Sequence, residues 1–143
     1  MSIKTILAPT DFSELSAEGL RYACQLAKDT GAALIILNVA VVDESNTVSK
    51  TEMERHRARL DEFVAGRIPI GDAKQNIRKI VVAGQPYGAI LDCAGNEGAD
   101  LIVMSSHGRT GLSRMLIGSV TDKILRGSSC PVLVVPVAHK HES

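Results

Sequence analysis

The chain alternates between short aliphatic runs and longer segments in which apolar residues recur every three or four positions. The aliphatic runs contain little polar alternation, which is typical of strands covered on both faces of a parallel sheet. Arg78 and Lys79 interrupt the third run, so we expect that strand to be an outer one with a wetter face. The predicted strands are residues 3–8, 33–42, 77–83, 101–104 and 132–137.

The segments between the strands predict four helices. The first follows Ser13 or Ser16, either of which can cap it, and Gly31 lies just past its end. Its apolar stripe consists of Ala17, Leu20, Cys24 and Ala27.

The remaining three helices are marked by other signals. Pro86 stands at a first helical position of the third helix. Ser119 and Asp122 have the spacing of a capping box that starts the last helix, which Gly127 ends. The second helix lies among many charges, and its apolar residues are Met53, Leu60, Phe63 and Val64.

The resulting order of elements is βαβαβαβαβ, which predicts an α/β protein. Strands that alternate with helices form a parallel sheet with right-handed crossovers and helices on both faces, a doubly wound arrangement. A chain of 143 residues fits one domain. We place that domain at residues 1–137 and expect residues 138–143 to form a flexible tail.

Charge and hydropathy exclude several classes of partner. Sixteen basic residues balance sixteen acidic ones, so the chain lacks the basic excess that binding to a nucleic-acid backbone requires. The longest apolar stretch, residues 32–42, is interrupted by Asn38 and is too short to span a membrane. Cys24, Cys93 and Cys130 are odd in number and form no CxxC pair, which indicates reduced thiols and predicts a cytoplasmic protein.

The segment after the fourth strand is the strongest candidate for chemistry. It turns at Gly108 and reaches Gly118 and Ser119 at the predicted start of the last helix. Glycines let the backbone approach a ligand closely, and the free N–H groups of a helix's first turn attract anions. The hydroxyls of Ser119 and Thr121 add donors, so the segment predicts an anion site.

Arg109 and Arg114 in the same segment are placed to neutralise the charge of a phosphate. The alternative is that Gly108 and Gly111 only shape a turn and that Ser119 only caps a helix. The segment contains neither the Gly-Lys-Ser/Thr of a Walker loop nor the dinucleotide GxGxxG. Spacing alone therefore predicts an anion site without naming the ligand.

Other polar residues near strand ends have two interpretations each. Asp11 follows the first strand and is suited to bind a base, a ribose or a metal, or else to cap the first helix in competition with Ser13. We interpret His107 as a residue that orders the loop, because no partner carboxylate makes it a general base. His56 lies on a charged helix face and is expected to be solvated. We predict no catalytic residue and no metal site.

Five segments, taken in order, carry a resemblance to a known family. They are residues 6–13 (ILAPTDFS), residues 37–39 (LNV), residues 98–104 (GADLIVM), Ser106-His107-Gly108 followed after nine residues by Gly118-Ser119-Val120, and residues 130–135 (CPVLVV). Together they resemble the universal stress protein family over essentially the whole chain. The family often has His where this chain has Asn38.

The resemblance implies a Rossmann-like sheet in the order 3-2-1-4-5 and, in the ATP-binding branch of the family, a site for ATP with or without Mg²⁺. Asp11 and Val39 would contact the adenine, residues around Ser105 the ribose, and Gly108 with the start of the last helix the phosphates. The implied binding residues are Pro9, Thr10, Asp11, Val39, Met104, Ser105, His107, Gly108, Arg109, Gly118, Ser119, Val120 and Thr121.

The resemblance also implies a homodimer through the last strand, here residues 131–137. An uncovered hydrophobic edge strand favours such pairing on physical grounds as well. The implied role is that of a regulatory protein in the stress response, acting on a protein partner that the sequence does not name.

One position departs from the family's nucleotide signature, Gly-x-x-Gly-x9-Gly-Ser/Thr. Its first glycine is Ser105 here, and the added hydroxymethyl group would either clash with a ribose or donate a hydrogen bond to it. Some family members lack the signature and do not bind ATP. Three hypotheses follow: an ATP-binding regulator, a ligand-free dimeric scaffold acting through protein contacts, and a slow ATPase, against which the missing general base argues.

Overall fold

The computed structural model describes residues 2–42, 45, 47–69, 75–107 and 117–137. The predicted tail at 138–143 lies outside them. Strands and helices alternate as predicted: β1 Thr5–Thr10, α1 Glu14–Thr30, β2 Ala33–Val41, α2 Lys50–Arg67, β3 Ile77–Gly84, α3 Pro86–Glu97, β4 Leu101–Ser105, α4 Ser119–Gly127 and β5 Val132–Val135.

The five strands form one parallel sheet in the order β3-β2-β1-β4-β5, which confirms the predicted order. The chain moves from β1 outward to β2 and β3, then crosses back to place β4 on the other side of β1. Strand order therefore reverses between β1 and β4, and a crevice at the carboxyl ends of such strands is where ligands bind in this class of fold. Arg78 and Lys79 are exposed on β3, an outer strand as predicted.

Both faces of the sheet are covered by helices, because successive side chains of a strand point to opposite faces. Ile6 of β1 packs in one core with Leu20 of α1 and Phe63 of α2. Leu7 packs in a second core on the opposite face, where α3 and α4 supply Ile90, Cys93, Ala94 and Ile124. The prediction of helices on both faces is confirmed.

The cysteines occupy the positions expected of packing residues. Cys24 and Cys93 are buried, one in each core, and Cys130 is partly exposed; none forms a disulfide. Burial raises the pKa of the Cys93 thiol, with a smaller contribution of the same sign from Glu97. Within the described ranges, no helix has the length and apolar character needed to cross a bilayer.

Helix termini settle the alternatives left by the sequence. Ser13 caps α1, because its hydroxyl oxygen accepts the N–H of Ser16 at 3.1 Å, and Gly31 ends that helix with φ of 73°. The start predicted for α4 is wrong by one residue. Gly118 is the N-cap, with extended φ and ψ of −65° and 158°, and Ser119 is already helical.

The capping box predicted for α4 is therefore not formed. Ser119 stands at the first helical position rather than at the cap. The Asp122 carboxylate, instead of reaching back along the helix, pairs with Arg126 one turn further on, at 3.1 Å. The helix ends at Gly127 as predicted.

Candidate functional site

A cavity of about 230 Å³ opens at the carboxyl edge of the sheet, beside the reversal of strand order between β1 and β4. Four predicted residues of the glycine loop, Gly108, Arg109, Gly111 and Arg114, lie outside the described residues. Every other implied binding residue lines this cavity: Pro9, Thr10, Asp11, Val39, Met104, Ser105, His107, Gly118, Ser119, Val120 and Thr121.

Further residues of the cavity wall, most of them apolar, were not predicted from the sequence. Leu37 and Val41 flank Val39 at a spacing of two, so all three side chains point to the same face of β2. Once Val39 is assigned to the site, the two-residue alternation of side chains along a strand predicts that Leu37 and Val41 also face it. Pro86 and Ile90 reach the cavity from the first turns of α3, a contribution that no local pattern indicates.

The loop from β1 to α1 is closed by hydrogen bonds among its own residues. The hydroxyls of Thr10 and Ser16 lie 2.7 Å apart, and Thr10 Oγ1 also accepts the N–H of Phe12 at 3.0 Å. Asp11 Oδ1 accepts the N–H of Ser13 at 3.0 Å, an Asx turn that precedes the helix. Asp11 therefore shapes the turn, and Ser13 caps the helix. In this arrangement Asp11 remains part of the cavity wall.

Ser105 points its hydroxyl toward α1. Its Oγ donates to the carbonyl of Leu15 at 2.7 Å and accepts the N–H of Gly19 at 2.8 Å, the two groups that an i to i−4 helical hydrogen bond would join. Because the single hydroxyl proton is given to Leu15, the expected donation to a ribose is not made. Both hydrogen bonds hold the hydroxyl against α1, while Ser105 still lines the cavity, so the clash of its hydroxymethyl group with a ribose stays a prediction.

Gly19 is what allows α1 to lie this close to β4. A Cβ at this position would come within 2.7 Å of the Ser105 backbone nitrogen and 2.8 Å of its hydroxyl. Only glycine leaves room for that approach. The departure at Ser105 is therefore accommodated by the packing of α1.

The N-terminus of α4 differs from that of α1. Within the described part of the chain, no side chain caps it, and its first residues, Ser119 and Val120, line the cavity. The hydroxyl of Thr121 was expected to face a phosphate. It is buried and donates instead to the carbonyl of Ser105 at 3.0 Å, which ties α4 to the end of β4. The positive end of the helix dipole is thus presented to the cavity by backbone amides.

His107 is buried beside the cavity and contacts the preceding residue. Its Nδ1 lies 3.3 Å from Ser106 Oγ, and that oxygen accepts the N–H of Val137 at 3.0 Å. The Ser106 carbonyl accepts the N–H of Gly118 at 2.6 Å. The hydrogen bonds of Ser106 link the end of β4 to the start of α4 and to the chain just beyond β5, and the loop-ordering role of His107 stays a prediction.

The prediction that His56 is solvated is wrong. Its ring is partly buried, and Nδ1 lies 2.8 Å from Oδ1 of Asn38, a buried residue of β2. Asn38 in turn donates from Nδ2 to the carbonyl of Thr10 at 2.9 Å. The charges that surround His56 in the sequence do not reveal that this position of α2 faces the sheet.

Metal-binding groups are sparse in the described ranges. No three His, Cys, Asp or Glu side chains lie together there. Among the described residues that line the cavity, Asp11 is the only carboxylate. The cavity thus combines an apolar wall, one acidic residue and an open helix N-terminus.

The fold and these motifs match a known family. A sequence model of the Universal stress protein family covers residues 2–136. The chain belongs to the universal stress protein family. Universal stress protein MJ0577 of Methanocaldococcus jannaschii is 31% identical over 92% of this chain and 94% of that protein. Its solved structure matches with a TM-score of 0.74.

Other universal stress proteins show similar agreement. YxiE of Bacillus subtilis is 34% identical over 91% of this chain and 97% of its own length. A crystal structure of a universal stress protein in complex with cAMP is 25% identical, with a TM-score of 0.76, over 94% of this chain and 98% of that one. The family resemblance drawn from the motifs is confirmed.

Proposed function

We propose that this universal stress protein is a cytoplasmic regulatory protein that binds an adenine nucleotide, ATP, in the cavity between β1 and β4. The observation that carries the proposal is the N-terminus of α4, which faces the cavity and, among the described residues, has no side-chain cap. Backbone N–H groups at a helix start bind phosphate because they are unsatisfied donors at the positive end of the dipole.

The two ends of the cavity suit the two ends of a nucleotide. Leu37, Val39 and Val41 on β2, with Pro86 and Ile90 on α3, form an apolar wall for a purine. Ligand sites of this kind are mostly apolar with a few placed polar groups. In the proposed arrangement Asp11 and Val39 contact the adenine.

The ribose then lies by Met104 and Ser105, and the phosphates by Gly118, Ser119 and Val120. Gly108 and Arg109, outside the described residues, complete the phosphate end of the proposal. The cAMP complex of a related universal stress protein supports an adenine nucleotide as the ligand class. The open helix terminus supports a ligand with more than one phosphate, since it supplies several amide donors.

Mg²⁺ would enter this site with the nucleotide. It usually keeps several waters and binds through phosphates plus one or two carboxylates. Asp11 is the one carboxylate on the described wall. The phosphates of ATP and bound waters would therefore supply most of the ligands of the Mg²⁺ ion.

A homodimer through residues 131–137 is a further part of the proposal. Strand β5 is an edge of the sheet, and all four of its aliphatic residues are partly exposed. The opposite edge strand, β3, carries exposed Arg78 and Lys79, charges that discourage pairing between sheet edges. The contrast favours β5 as the surface where two copies meet. ATP would act by shifting that dimer or its affinity for a protein partner.

Isothermal titration calorimetry with ATP tests the proposal, with Ser119→Asp as the decisive variant. A carboxylate in the first turn favours the helix itself but repels phosphate, so we expect unchanged or higher thermal stability and ATP affinity lower by about tenfold or more. Thr51→Asp places the same charge in the first turn of α2 and should leave ATP binding unchanged. Absence of heat and of a thermal shift with millimolar ATP in the wild type would refute nucleotide binding.

A further inference from the structure

Helix α2 reaches the end of β1 through a chain of hydrogen bonds. The Thr10 carbonyl can only accept, so the amide nitrogen of Asn38 faces it, at 2.9 Å, and the amide oxygen faces His56. Oδ1 of Asn38 can also only accept, so Nδ1 of His56 donates to it at 2.8 Å. Thr10 is thereby connected through Asn38 to α2.

A second contact joins α2 to the residue on the other side of Asp11. Phe12 is buried, and its ring packs edge-on against Phe63, with centroids 5.7 Å apart, and lies 6.1 Å from the ring of His56. The guanidinium of Arg59 lies 4.5 Å above the Phe12 ring. Phe12 is thus held by three residues of one helix.

The backbone of Phe12 shows why it needs to be held. Its φ is 68°, and among the described residues it is the only non-glycine with positive φ. This left-handed conformation is costly for a bulky side chain and persists where the surroundings over-determine it. The packing against α2 stabilises the turn that carries Asp11 into the cavity wall.

We propose that α2 positions Asp11 through His56 and Phe12, which makes His56 a positioning residue for the nucleoside part of the ligand. The inference rests on the proposed function, and it adds an element that the cavity itself does not reveal. Among the described wall residues none belongs to α2. The helix acts by holding the two neighbours of Asp11, Thr10 and Phe12.

Three variants of α2 test the inference by calorimetry with adenosine, ATP and inorganic tripolyphosphate. His56→Leu keeps most of the side-chain volume and removes the donor. His56→Asn keeps a donor nitrogen near the position of Nδ1. Arg57→Leu is the matched control, because Arg57 is an exposed neighbour on the same helix.

We expect His56→Leu to bind adenosine and ATP more weakly by a common factor of about ten. This is the loss expected when the hydrogen bond from His56 to Asn38 is removed and Asp11 is no longer held in place. Its affinity for tripolyphosphate should stay at the wild-type value, because α4 is untouched. His56→Asn should recover most of the loss. Arg57→Leu should change all three affinities by less than about twofold.

Unchanged adenosine binding by His56→Leu, or equal loss of adenosine and tripolyphosphate binding, would overturn the positioning role while leaving nucleotide binding intact. Failure of His56→Asn to recover affinity would overturn the hydrogen-bond route. A wild type that binds neither ATP nor adenosine would refute the proposed function, and with it this inference.

Discussion

Of the two strand-to-helix junctions beside the cavity, one has a side-chain cap at its helix N-terminus and the other, among the described residues, has none. At the junction of β1 and α1, Ser13 caps the helix and Asp11 and Thr10 accept neighbouring amides. At the start of α4, glycine is the cap residue and, within the described ranges, no side chain takes its place. Both helices point their positive ends toward the same edge of the sheet.

The difference shows what makes a helix start into a ligand site. A dipole is common to every helix, but a side-chain cap, such as the bond from the Ser16 amide to Ser13, leaves fewer free amides for an anion. In this protein the capped junction shapes the wall and the uncapped one faces the proposed phosphates. Four substitutions break or sharpen this comparison, from the largest expected effect to the smallest.

Gly19→Ala should have the largest effect, because it pushes α1 away from β4. The new Cβ would lie 2.7 Å from a backbone nitrogen that cannot move aside easily. We expect a loss of about 3 kcal/mol in the free energy of unfolding, at the upper end for overpacking. Chemical denaturation measures it.

Gly66→Ala is the matched control, since a Cβ there meets no atom within 4 Å. It should be neutral or stabilise by up to about 1 kcal/mol, as alanine favours a helix over glycine. Equal stabilities of the two variants would contradict the close approach of α1 to Ser105.

Gly118→Ser should make the start of α4 resemble that of α1. Gly118 already has the extended conformation of a cap residue, so a serine hydroxyl can accept an amide of the first turn. We expect ATP affinity to fall by about tenfold while stability rises by a few tenths of a kcal/mol. Calorimetry and thermal denaturation measure the two effects, with Gly66→Ser as a control. Unchanged ATP affinity would argue that these amides are not the phosphate site.

Ser13→Ala makes the reverse change by removing the cap of α1. The lost hydrogen bond to the Ser16 amide should cost about 1 kcal/mol of stability. Denaturation in urea measures the cost. Binding of tripolyphosphate at the start of α1 in this variant would directly support the claim that a side-chain cap prevents anion binding. A stability equal to that of the wild type would contradict the cap made by Ser13.

Glu14→Gln should have the smallest effect, visible mainly as a change in pH dependence. A hydrogen bond from Arg67, at 2.7 Å from Nε, lowers the pKa of Glu14 below its ordinary value of 4.5. A carboxylate with a lowered pKa in the folded state adds stability above its unfolded pKa and loses it as the pH falls through the folded one.

The wild type should therefore be slightly more stable than Glu14→Gln at neutral pH, and the difference should vanish in acid. Thermal denaturation from pH 7 to about pH 3 follows it across the range where carboxylates titrate. Glu14 is exposed and Arg67 partly so, and salt should therefore reduce the difference. A difference that grows as the pH falls would contradict the assignment.

The sequence predicted the elements of the fold because strand and helix signals are local. Aliphatic runs gave all five strands to within a few residues, and Arg78 and Lys79 identified an outer strand. The strand order, by contrast, came from the family resemblance, since no local pattern states which strands are neighbours.

What the sequence did not predict depends on contacts between distant residues. The direction of the Ser105 hydroxyl is set by Gly19, 86 positions away, and the partner of His56 lies 18 positions away on another element. Ser119 was placed at the cap because Asp122 follows it at the spacing of a capping box, and only the backbone angles of Gly118 show that the glycine is the cap.

The central claim is that uncapped amides at the start of α4 bind a polyphosphate while the capped amides of α1 do not. Titrating ¹⁵N-labelled protein with ATP and following the amide signals of Ser119, Val120 and Ser16 tests it most directly. We predict large, saturable shifts at Ser119 and Val120 and only small ones at Ser16. Amide signals of Ser119 and Val120 that do not move on addition of ATP, or shifts of Ser16 that are as large as theirs, would contradict the claim.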